Sequence, residues 1–316
     1  MSADKNIVII SSRSFGKINS DAVNILKDAG LEPILNPHSR KLSEEEILTM
    51  IDDNVIGIIA GTENITKNVI TKASSLKVIS RYGVGLDNID LETANRKGIL
   101  VYNTPETPAL AVAELTLSLI LNLLRKIGKL DRNIKSKNWK AEMGNLLTGK
   151  NVGIIGLGRI GKKLIELLQP FNVKLFVCET KPDEKFISNY NINLVSLDEL
   201  LVKSDIVSLH LPSTSQTIGI IGEKELLKIK ENTILVNTAR GNLIDEKSLY
   251  TALKEEKIAG AAIDAFEEEP YKGKLIELDN IILTPHIGTA TIETRKDMEI
   301  EASNKLINGL KEMNIL

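Results

Sequence analysis

The chain alternates between short apolar runs and longer segments in which apolar residues recur every three or four positions. The short runs are rich in Ile and Val and are apolar on successive residues, which is typical of strands buried on both faces of a parallel sheet. Such runs predict strands at 7–11, 55–60, 76–80, 99–103, 151–155, 174–178, 206–209, 234–237, 258–263 and 281–283. About ten strands are more than one compact sheet usually holds, so we expect two sheets.

The segments between these strands carry the spacing of amphipathic helices, at 20–29, 43–51, 90–97, 159–168 and 246–255. Strand–helix alternation of this kind predicts an α/β fold with doubly wound parallel sheets, Rossmann-like or flavodoxin-like. The segment 107–137 is long and strongly apolar on one face, and we expect it to form one helix that separates two groups of strands. Thr107 is suited to cap this helix, and Pro108 is suited to its first turn.

Composition and charge narrow the possible partners and compartments. The chain has 316 residues, of which 42% are hydrophobic and 26% charged, and its formal net charge is -2. Without a basic excess we expect no nucleic-acid partner and no attraction to an anionic membrane. The apolar stretch 109–124 is shorter than the roughly 20 residues of a membrane span, and residues 1–6 lack a signal-peptide pattern. The single cysteine, Cys178, excludes an internal disulfide, so we expect a reducing compartment, the cytoplasm.

A glycine-rich turn follows the predicted strand 151–155 and precedes a predicted helix. Its spacing is Gly156-x-Gly158-x-x-Gly161, and Arg159 and Ile160 open the helix. In a dinucleotide-binding turn the first glycine permits the turn, the second lets the backbone approach a pyrophosphate, and the third lets the helix pack on the strand. The helix N-terminus offers its unpaired N–H groups to the phosphates. This context favours a dinucleotide site over a purely structural turn.

Glu179 ends the next predicted strand, at about the separation expected for the acid that binds the adenosine ribose. Its carboxylate would accept hydrogen bonds from the ribose hydroxyls and repel a 2′-phosphate, which favours NAD over NADP. The neighbouring Thr180 and Lys181 could accommodate a phosphate, so some tolerance of NADP stays open.

Polar side chains follow three later strands, at the edge where ligands sit in open α/β sheets. Arg240 offers a planar fork suited to a carboxylate. Asp264 could accept a hydrogen bond from the nicotinamide amide, although the acids between 264 and 269 are equally compatible with a solvated loop. His286 can exchange a proton near neutral pH, whereas His38 and His210 are expected to be structural. With a nicotinamide to exchange hydride, these groups predict oxidation of a 2-hydroxy acid or reduction of a 2-oxo acid.

Taken together, these motifs resemble the D-isomer-specific 2-hydroxyacid dehydrogenase family along nearly the whole chain. The matching stretches, in order, are RYGVGLDNID at 81–90, NTP at 103–105, AVAEL at 111–115, the glycine turn, NTARG at 237–241, Asp264 with Glu269-Pro270, and TPHIG at 284–288. So many motifs in the right order make a chance match very improbable.

The resemblance assigns roles to individual residues. It implies that His286 is the acid/base and that Glu269 pairs with it. It implies that Arg240 binds the substrate carboxylate and carbonyl, and that the Val84 and Gly85 backbone also meets the substrate carboxylate. The motifs and the resemblance together predict an NAD site formed by Gly156, Gly158, Arg159, Ile160, Gly161, Glu179, Thr238, Ala239, Asp264 and Gly288. No metal site is expected.

Within the family, the similarity is greatest to short enzymes that oxidise 3-phosphoglycerate for serine biosynthesis, so phosphoglycerate is the expected substrate. Such enzymes often carry an arginine within the stretch matching 59–62 and another just after the tryptophan at 139, and this chain has neither. Lys140 and Arg81 are candidates to compensate. The alternatives are a dehydrogenase or reductase for another small acid, such as hydroxypyruvate, glyoxylate or lactate, or a non-enzymatic NAD-sensing protein that resembles a corepressor.

The segment 107–137, with strands before and after it, and the position of the glycine turn halfway along the chain also predict the domain organisation. Residues 1–103 and 288–316 would form a substrate-binding domain, and residues 104–287 an NAD-binding Rossmann domain, with a cleft between the two. The final helix, at about 290–313, is expected to return to the first domain. The family further implies a homodimer built through the region 107–150.

Overall fold

In the computed structural model, which describes residues 6–38 and 40–316, twelve strands form two wholly parallel sheets. The chain divides into two units, Met1–Pro108 with Ala290–Leu316, and Ala109–Thr289. Residues 1–5, on which most of the signal-peptide expectation rests, lie outside the described part. The parallel sheets and intervening helices confirm the predicted fold class.

The first unit contains five strands and four helices before the chain leaves it. The strands are β1 (Ile7–Ile10), β2 (Glu32–Leu35), β3 (Val55–Ala60), β4 (Val78–Arg81) and β5 (Leu100–Asn103), in the order β2-β1-β3-β4-β5. The helices are α1 (Asp21–Asp28), α2 (Glu44–Met50), α3 (Lys67–Lys72) and α4 (Leu91–Arg96). This strand order is the flavodoxin-like one, with the chain reversing its winding beside β1. Apolar clusters cover both faces of the sheet, which explains the uninterrupted apolar strands.

The second unit begins with two helices and contains seven strands. Its helices are α5 (Pro108–Arg125), α6 (Ile127–Lys135), α7 (Arg159–Leu168), α8 (Glu184–Asn189), α9 (Leu197–Lys203), α10 (Glu223–Leu226) and α11 (Glu246–Lys254). Its strands are β6 (Asn151–Ile155), β7 (Lys174–Cys178), β8 (Asn193–Leu194), β9 (Ile206–Leu209), β10 (Ile234–Asn237), β11 (Gly260–Ile263) and β12 (Ile281–Leu283). The order β12-β11-β10-β9-β6-β7-β8 reverses between β6 and β9. In such sheets the crevice at the carboxyl ends beside this reversal is where a dinucleotide binds.

The last helix, α12 (Ile292–Glu312), belongs to the first unit. It packs against α1 and against β3, β4 and β5. Leu306 and Leu310 on its inner face are fully buried there. A Cβ atom at Gly57 would lie 3.0 Å from a Leu306 methyl group, so the missing side chain lets the helix approach β3 closely.

The segment expected to form one long helix forms two. Lys126 adopts the left-handed conformation with φ 55°, which ends α5 and starts α6 in a new direction. The Asn122 side chain accepts the N–H of Gly128 at 2.9 Å and so replaces a backbone acceptor lost at the break. The amphipathic pattern continues through Lys126 and therefore gave no sign of the break.

Two strands were not predicted, and both lie at sheet edges. Strand β2 has the sequence EPIL with both ends exposed, and β8 is a two-residue strand with both residues exposed. An edge strand needs no second buried face, so it lacks the apolar run that revealed the central strands.

Helix α5 is long and apolar enough to cross a membrane by length and composition alone. Half of that span is buried within the protein. Ala113, Ile120 and Leu124 belong to the core cluster that covers one face of the second sheet. Burial in the core therefore accounts for its apolar character.

Candidate active site

The glycine-rich turn joins β6 to α7 as the sequence predicts. Gly156 has φ 97°, and a Cβ atom there would lie 2.7 Å from the carbonyl oxygen of His210. A Cβ atom at Gly161 would lie 2.4 Å from the carbonyl oxygen of Gly156. Around Gly158, by contrast, nothing lies within 4 Å of the Cβ position. The first and third glycines are thus required by packing, and the second leaves open space beside the backbone.

The N-terminus of α7 and Glu179 complete the arrangement expected for a dinucleotide. No side chain caps α7, so its first N–H groups remain available to an anion. Glu179 accepts the N–H of Leu157 at 2.8 Å and that of Lys181 at 2.9 Å. Burial raises the pKa of Glu179, but the backbone donors Lys181, Leu157 and Thr180 together hold it below its usual value. An ionised carboxylate beside an uncapped helix end fits the ribose and pyrophosphate of NAD.

Arg240 follows β10 in a loop stabilised by Asn237. The Asn237 side chain accepts the N–H of Ala239 at 3.0 Å and donates to the carbonyl of Arg240 at 2.8 Å. A Cβ atom at Gly241 would lie 2.1 Å from the backbone of Phe266, so the loops after β10 and β11 are in direct contact. The buried Thr238 lies alongside, with its hydroxyl 2.9 Å from that of Thr116 on α5.

His286 and Glu269 form a side-chain pair. Nδ1 of His286 lies 2.9 Å from Oε1 and 3.1 Å from Oε2 of Glu269. The N–H of Phe266 donates to Oε1 of Glu269 at 3.1 Å and fixes the carboxylate. The two side chains are 42% and 38% exposed, so a substrate can reach them. With Nδ1 directed at the carboxylate, Nε2 is the ring nitrogen that remains to exchange a proton with a ligand.

Asp264 is fully buried directly after β11. Its carboxylate accepts hydrogen bonds from the Thr284 hydroxyl and from the N–H groups of Ile287 and Gly288, at 2.6, 2.8 and 2.9 Å. The predicted cofactor residue Gly288 therefore directs its N–H at Asp264 in this structure.

The two remaining histidines lie outside this group. His210 is buried with Nε2 2.9 Å from the Ser208 hydroxyl, and burial lowers its pKa to about 4, so its ring is neutral near pH 7. His38, in the first unit, lies 3.5 Å from Glu46 on α2.

Val84 and Gly85 lie in the first unit, in the loop after β4. The guanidinium of Arg81 holds this loop: Nε donates to the carbonyl of Gly85 at 3.1 Å, and Nη1 donates to the carbonyl of Tyr82. Nη1 also approaches the carbonyl of Ala60 at the end of β3, at 3.5 Å. Arg81 therefore binds the backbone of its own loop, and Val84 is left 40% exposed.

The comparisons with known proteins agree with this geometry. A model of the D-isomer specific 2-hydroxyacid dehydrogenase NAD-binding domain matches residues 117–288, more than half of the chain. The glyoxylate reductase of Thermofilum pendens is 42% identical over 279 residues, which cover 85% of this chain and 82% of that protein. The chain belongs to the D-isomer specific 2-hydroxyacid dehydrogenase family.

Further members of this family resemble the whole chain. The D-3-phosphoglycerate dehydrogenase of Methanocaldococcus jannaschii is 39% identical over 306 residues, which cover 95% of this chain. This chain spans only 58% of the length of that relative. The crystal structure of the TT0316 protein from Thermus thermophilus superposes with a TM-score of 0.88 at 32% identity and covers 97% of both chains. The predicted family and the predicted NAD cofactor are thereby confirmed.

Several structural contacts at the site could not be anticipated from the family's motifs. The predicted strand-end residues of the second unit lie on loops that contact one another, but the motifs do not indicate which donors hold Asp264 or that Asn237 braces Arg240. The sequence features that could have suggested these contacts are Asn237 at the end of a predicted strand and Thr284 directly before Pro285. Within the described residues, no cluster of three or more His, Cys, Asp or Glu side chains is arranged to hold a metal ion.

Proposed function

We propose that this chain catalyses the NAD-linked interconversion of a D-2-hydroxy acid and its 2-oxo acid, with His286 as the acid/base. The His286–Glu269 pair carries this proposal, because its 2.9 Å contact fixes the ring and leaves Nε2 for the substrate hydroxyl. Bound NAD would supply the hydride acceptor. Glu269 would stabilise the protonated ring, as the carboxylate partner of a catalytic histidine does.

Arg240 would bind the substrate carboxylate in this proposal. Its planar fork suits two parallel hydrogen bonds to a carboxylate, and the Asn237 contacts hold its backbone in place. The Val84–Gly85 backbone remains a predicted second contact for the same carboxylate. Thr238 and Ala239 would flank the nicotinamide, and Arg159 and Ile160 would contact the pyrophosphate.

Replacement of the histidine tests the proposal. His286→Ala should lower kcat by about 10²–10⁴-fold, the usual contribution of general acid/base catalysis, while NADH binding measured by fluorescence survives. His38→Ala, at a surface histidine of the first unit, is the matched control and should keep wild-type turnover. Near-normal turnover of His286→Ala would remove the acid/base assignment.

The substrate could belong to either of two classes, a phosphorylated acid such as 3-phosphoglycerate or an unphosphorylated small acid. The phosphoglycerate expectation is supported by the similarity to the archaeal phosphoglycerate dehydrogenase, and an unphosphorylated acid is supported by the similarity to the glyoxylate reductase. The edge of the first sheet beside Val84 favours the second class. Arg81, a candidate to bind a phosphate, directs both Nε and Nη1 at backbone carbonyl groups, whereas the Arg240 guanidinium donates from Nη1 to the carbonyl of Ala239, at 2.8 Å.

The residues at the end of β3 also favour an unphosphorylated acid. A Cβ atom at Gly61 would lie 2.4 Å from Oε2 of Glu63 and 3.0 Å from Cα of Ser12, so an added side chain would have to displace the Glu63 carboxylate. Glu63 is buried and accepts the Ser11 hydroxyl at 2.8 Å. A carboxylate at this position disfavours a phosphate dianion nearby, since like charges repel most strongly where water is excluded.

A spectrophotometric NADH-oxidation panel separates these substrates. It should include phosphohydroxypyruvate, hydroxypyruvate, glyoxylate, pyruvate and 2-oxoglutarate, with kcat/KM as the readout. An unphosphorylated acid should give the higher kcat/KM. A clear preference for the phosphorylated acid would restore phosphoglycerate as the substrate, and NADH binding without turnover of any acid would favour the non-enzymatic sensor.

We also propose a homodimer through the region 107–150. Exposed large apolar side chains concentrate there: Ile127 at 54%, Ile134 at 49%, Trp139 at 89%, Met143 at 90% and Leu146 at 71% exposed. We call these five residues the 127–146 surface. The N–H of Asn145 donates to Leu124 at 2.8 Å, and Glu142 pairs with Lys129 at 2.8 Å, so the segment is anchored to α5 and α6. A second copy of the chain is the proposed partner, and a cytoplasmic location remains a prediction.

A further inference from the structure

Asp264 lies between the loops that carry Arg240 and His286. Its N–H donates to the carbonyl of Asn237, the last residue of β10, at 2.9 Å. Strand β11, which it follows, pairs with β10 on one side and β12 on the other. A rigid sheet therefore fixes the backbone of Asp264 at the edge where the proposed reaction takes place.

The carboxylate of Asp264 binds donors on both sides of His286 in the sequence. Oδ1 accepts the Thr284 hydroxyl at 2.6 Å and the N–H of Ile287 at 2.8 Å, and Oδ2 accepts the N–H of Gly288 at 2.9 Å. A buried carboxylate is stable only when donors such as these replace water. The segment 284–288 is thus secured before and after the histidine.

His286 needs this support because of its backbone conformation. Its φ is 53°, in the left-handed region that residues other than glycine seldom adopt. Such a conformation persists only when surrounding contacts hold it. The contact with Glu269 orients the ring only. The N–H of His286 donates to the carbonyl of Thr284 at 2.9 Å, and the bonds to Asp264 hold the residues on either side of it.

We propose that Asp264 is a positioning residue that holds segment 284–288 so that the His286 ring meets Glu269 and presents Nε2 to the substrate. This inference rests on the proposed function of His286. It differs from the predicted role of Asp264 in binding the nicotinamide amide. A carboxylate offers about four lone-pair sites, and three are filled from segment 284–288, so the two roles can coexist on one carboxylate.

Asp264→Asn tests the proposal, because the amide would direct its own N–H₂ at the N–H of Gly288 or, with the amide turned over, at that of Ile287. We expect kcat to fall by about 10²-fold, as for a small misplacement of a catalytic group, with a much smaller change in the Kd for NADH. Hydrogen exchange at the amides of Ile287 and Gly288 should accelerate in the variant without any ligand. Unchanged exchange, or a loss of NADH affinity as large as the loss of kcat, would overturn the proposal.

A second pair of variants leaves the carboxylate intact. Thr284→Val removes one donor to Oδ1 and should lower kcat by about tenfold, close to the cost of one hydrogen bond to a charged group, and it should accelerate the same exchange. Thr284→Ser restores the hydroxyl and should restore both readouts. Wild-type values for Thr284→Val would contradict the positioning role. A wild-type protein inactive on every acid would overturn the proposed function, whereas amide exchange would still test the role of Asp264.

Discussion

At the residue scale, the reactive side chains of the proposed site are paired with residues that lie far away in the sequence, as His286 is with Glu269. Arg240, Glu269 and His286 are recognisable because each is a reactive type at the end of an apolar strand or within a turn. The structure adds the 2.9 Å contact between His286 and Glu269, and it places Glu63 beneath Gly61. The donors around Asp264 come from 20 to 24 residues away. Such partners depend on which strands become neighbours, which no local motif specifies.

Glu179 carries the residue-scale prediction about cofactor choice. Glu179→Gln should raise kcat/KM with NADPH relative to NADH by about tenfold, because it removes the carboxylate that repels a 2′-phosphate. Two unit charges 4 Å apart interact by on the order of 4 kcal/mol near a protein surface, and solvent reduces that figure at this half-buried site. Glu231→Gln, which removes a carboxylate at an exposed position just before β10, is the control. An unchanged ratio of the two cofactors would show that Glu179 mainly holds the turn, through the Leu157 N–H.

At the element scale, the strands with apolar runs were predictable, whereas two short edge strands and the break in the long helix were not. Strands β3, β6, β7, β9, β10 and β12 have the predicted bounds, and every residue of β3, β9 and β10 is buried. The edge strands β2 and β8 have little buried surface to produce an apolar pattern. The break at Lys126 depends on one left-handed residue and on the Asn122 side chain. The periodicity of α12 likewise does not reveal that Glu299 is fully buried.

Glu299 makes α12 sensitive to pH. Burial raises its pKa to about 7, although the N–H of Gly16 and the charge of Arg295 act in the opposite direction. Because the folded pKa exceeds the ordinary value of 4.5, the folded state binds more protons between these values. Its contribution to stability is therefore complete below about pH 4.5 and is lost as the pH rises towards 7, by about 3 kcal/mol in total.

Glu299→Gln tests the direction of this pH dependence of stability, since glutamine can still accept the Gly16 N–H but cannot ionise. We expect the variant to have a higher Tm than the wild type at pH 8 and a similar Tm at pH 5, measured by differential scanning calorimetry. Glu293→Gln, at an exposed position in the first turn of the same helix, is the control. Equal differences in Tm at both pH values would contradict an ionising Glu299.

At the scale of the whole molecule, each unit has its own sheet and its own core. Exposed apolar side chains occur on both units, and a single one needs no special explanation. The 127–146 surface is different, because it gathers five large apolar side chains on an anchored segment. An exposed apolar area marks an interaction site when its side chains adjoin, and we propose that these five do. Its location within the region 107–150 agrees with the homodimer that the family resemblance implies.

The double variant Trp139→Glu/Met143→Glu tests the dimer. Burying a large apolar side chain contributes about 1.5–3 kcal/mol, and a two-fold axis would bury each of these residues twice. The carboxylates would remove that contribution and would place four charges in an apolar interface, so we expect the wild type to be a dimer and the variant a monomer by light scattering. Leu227→Glu and Ile276→Glu, at residues 63% and 64% exposed elsewhere on the same unit, are matched controls that should remain dimeric. A monomeric wild type, or a double variant that stays dimeric, would exclude the 127–146 surface as the interface.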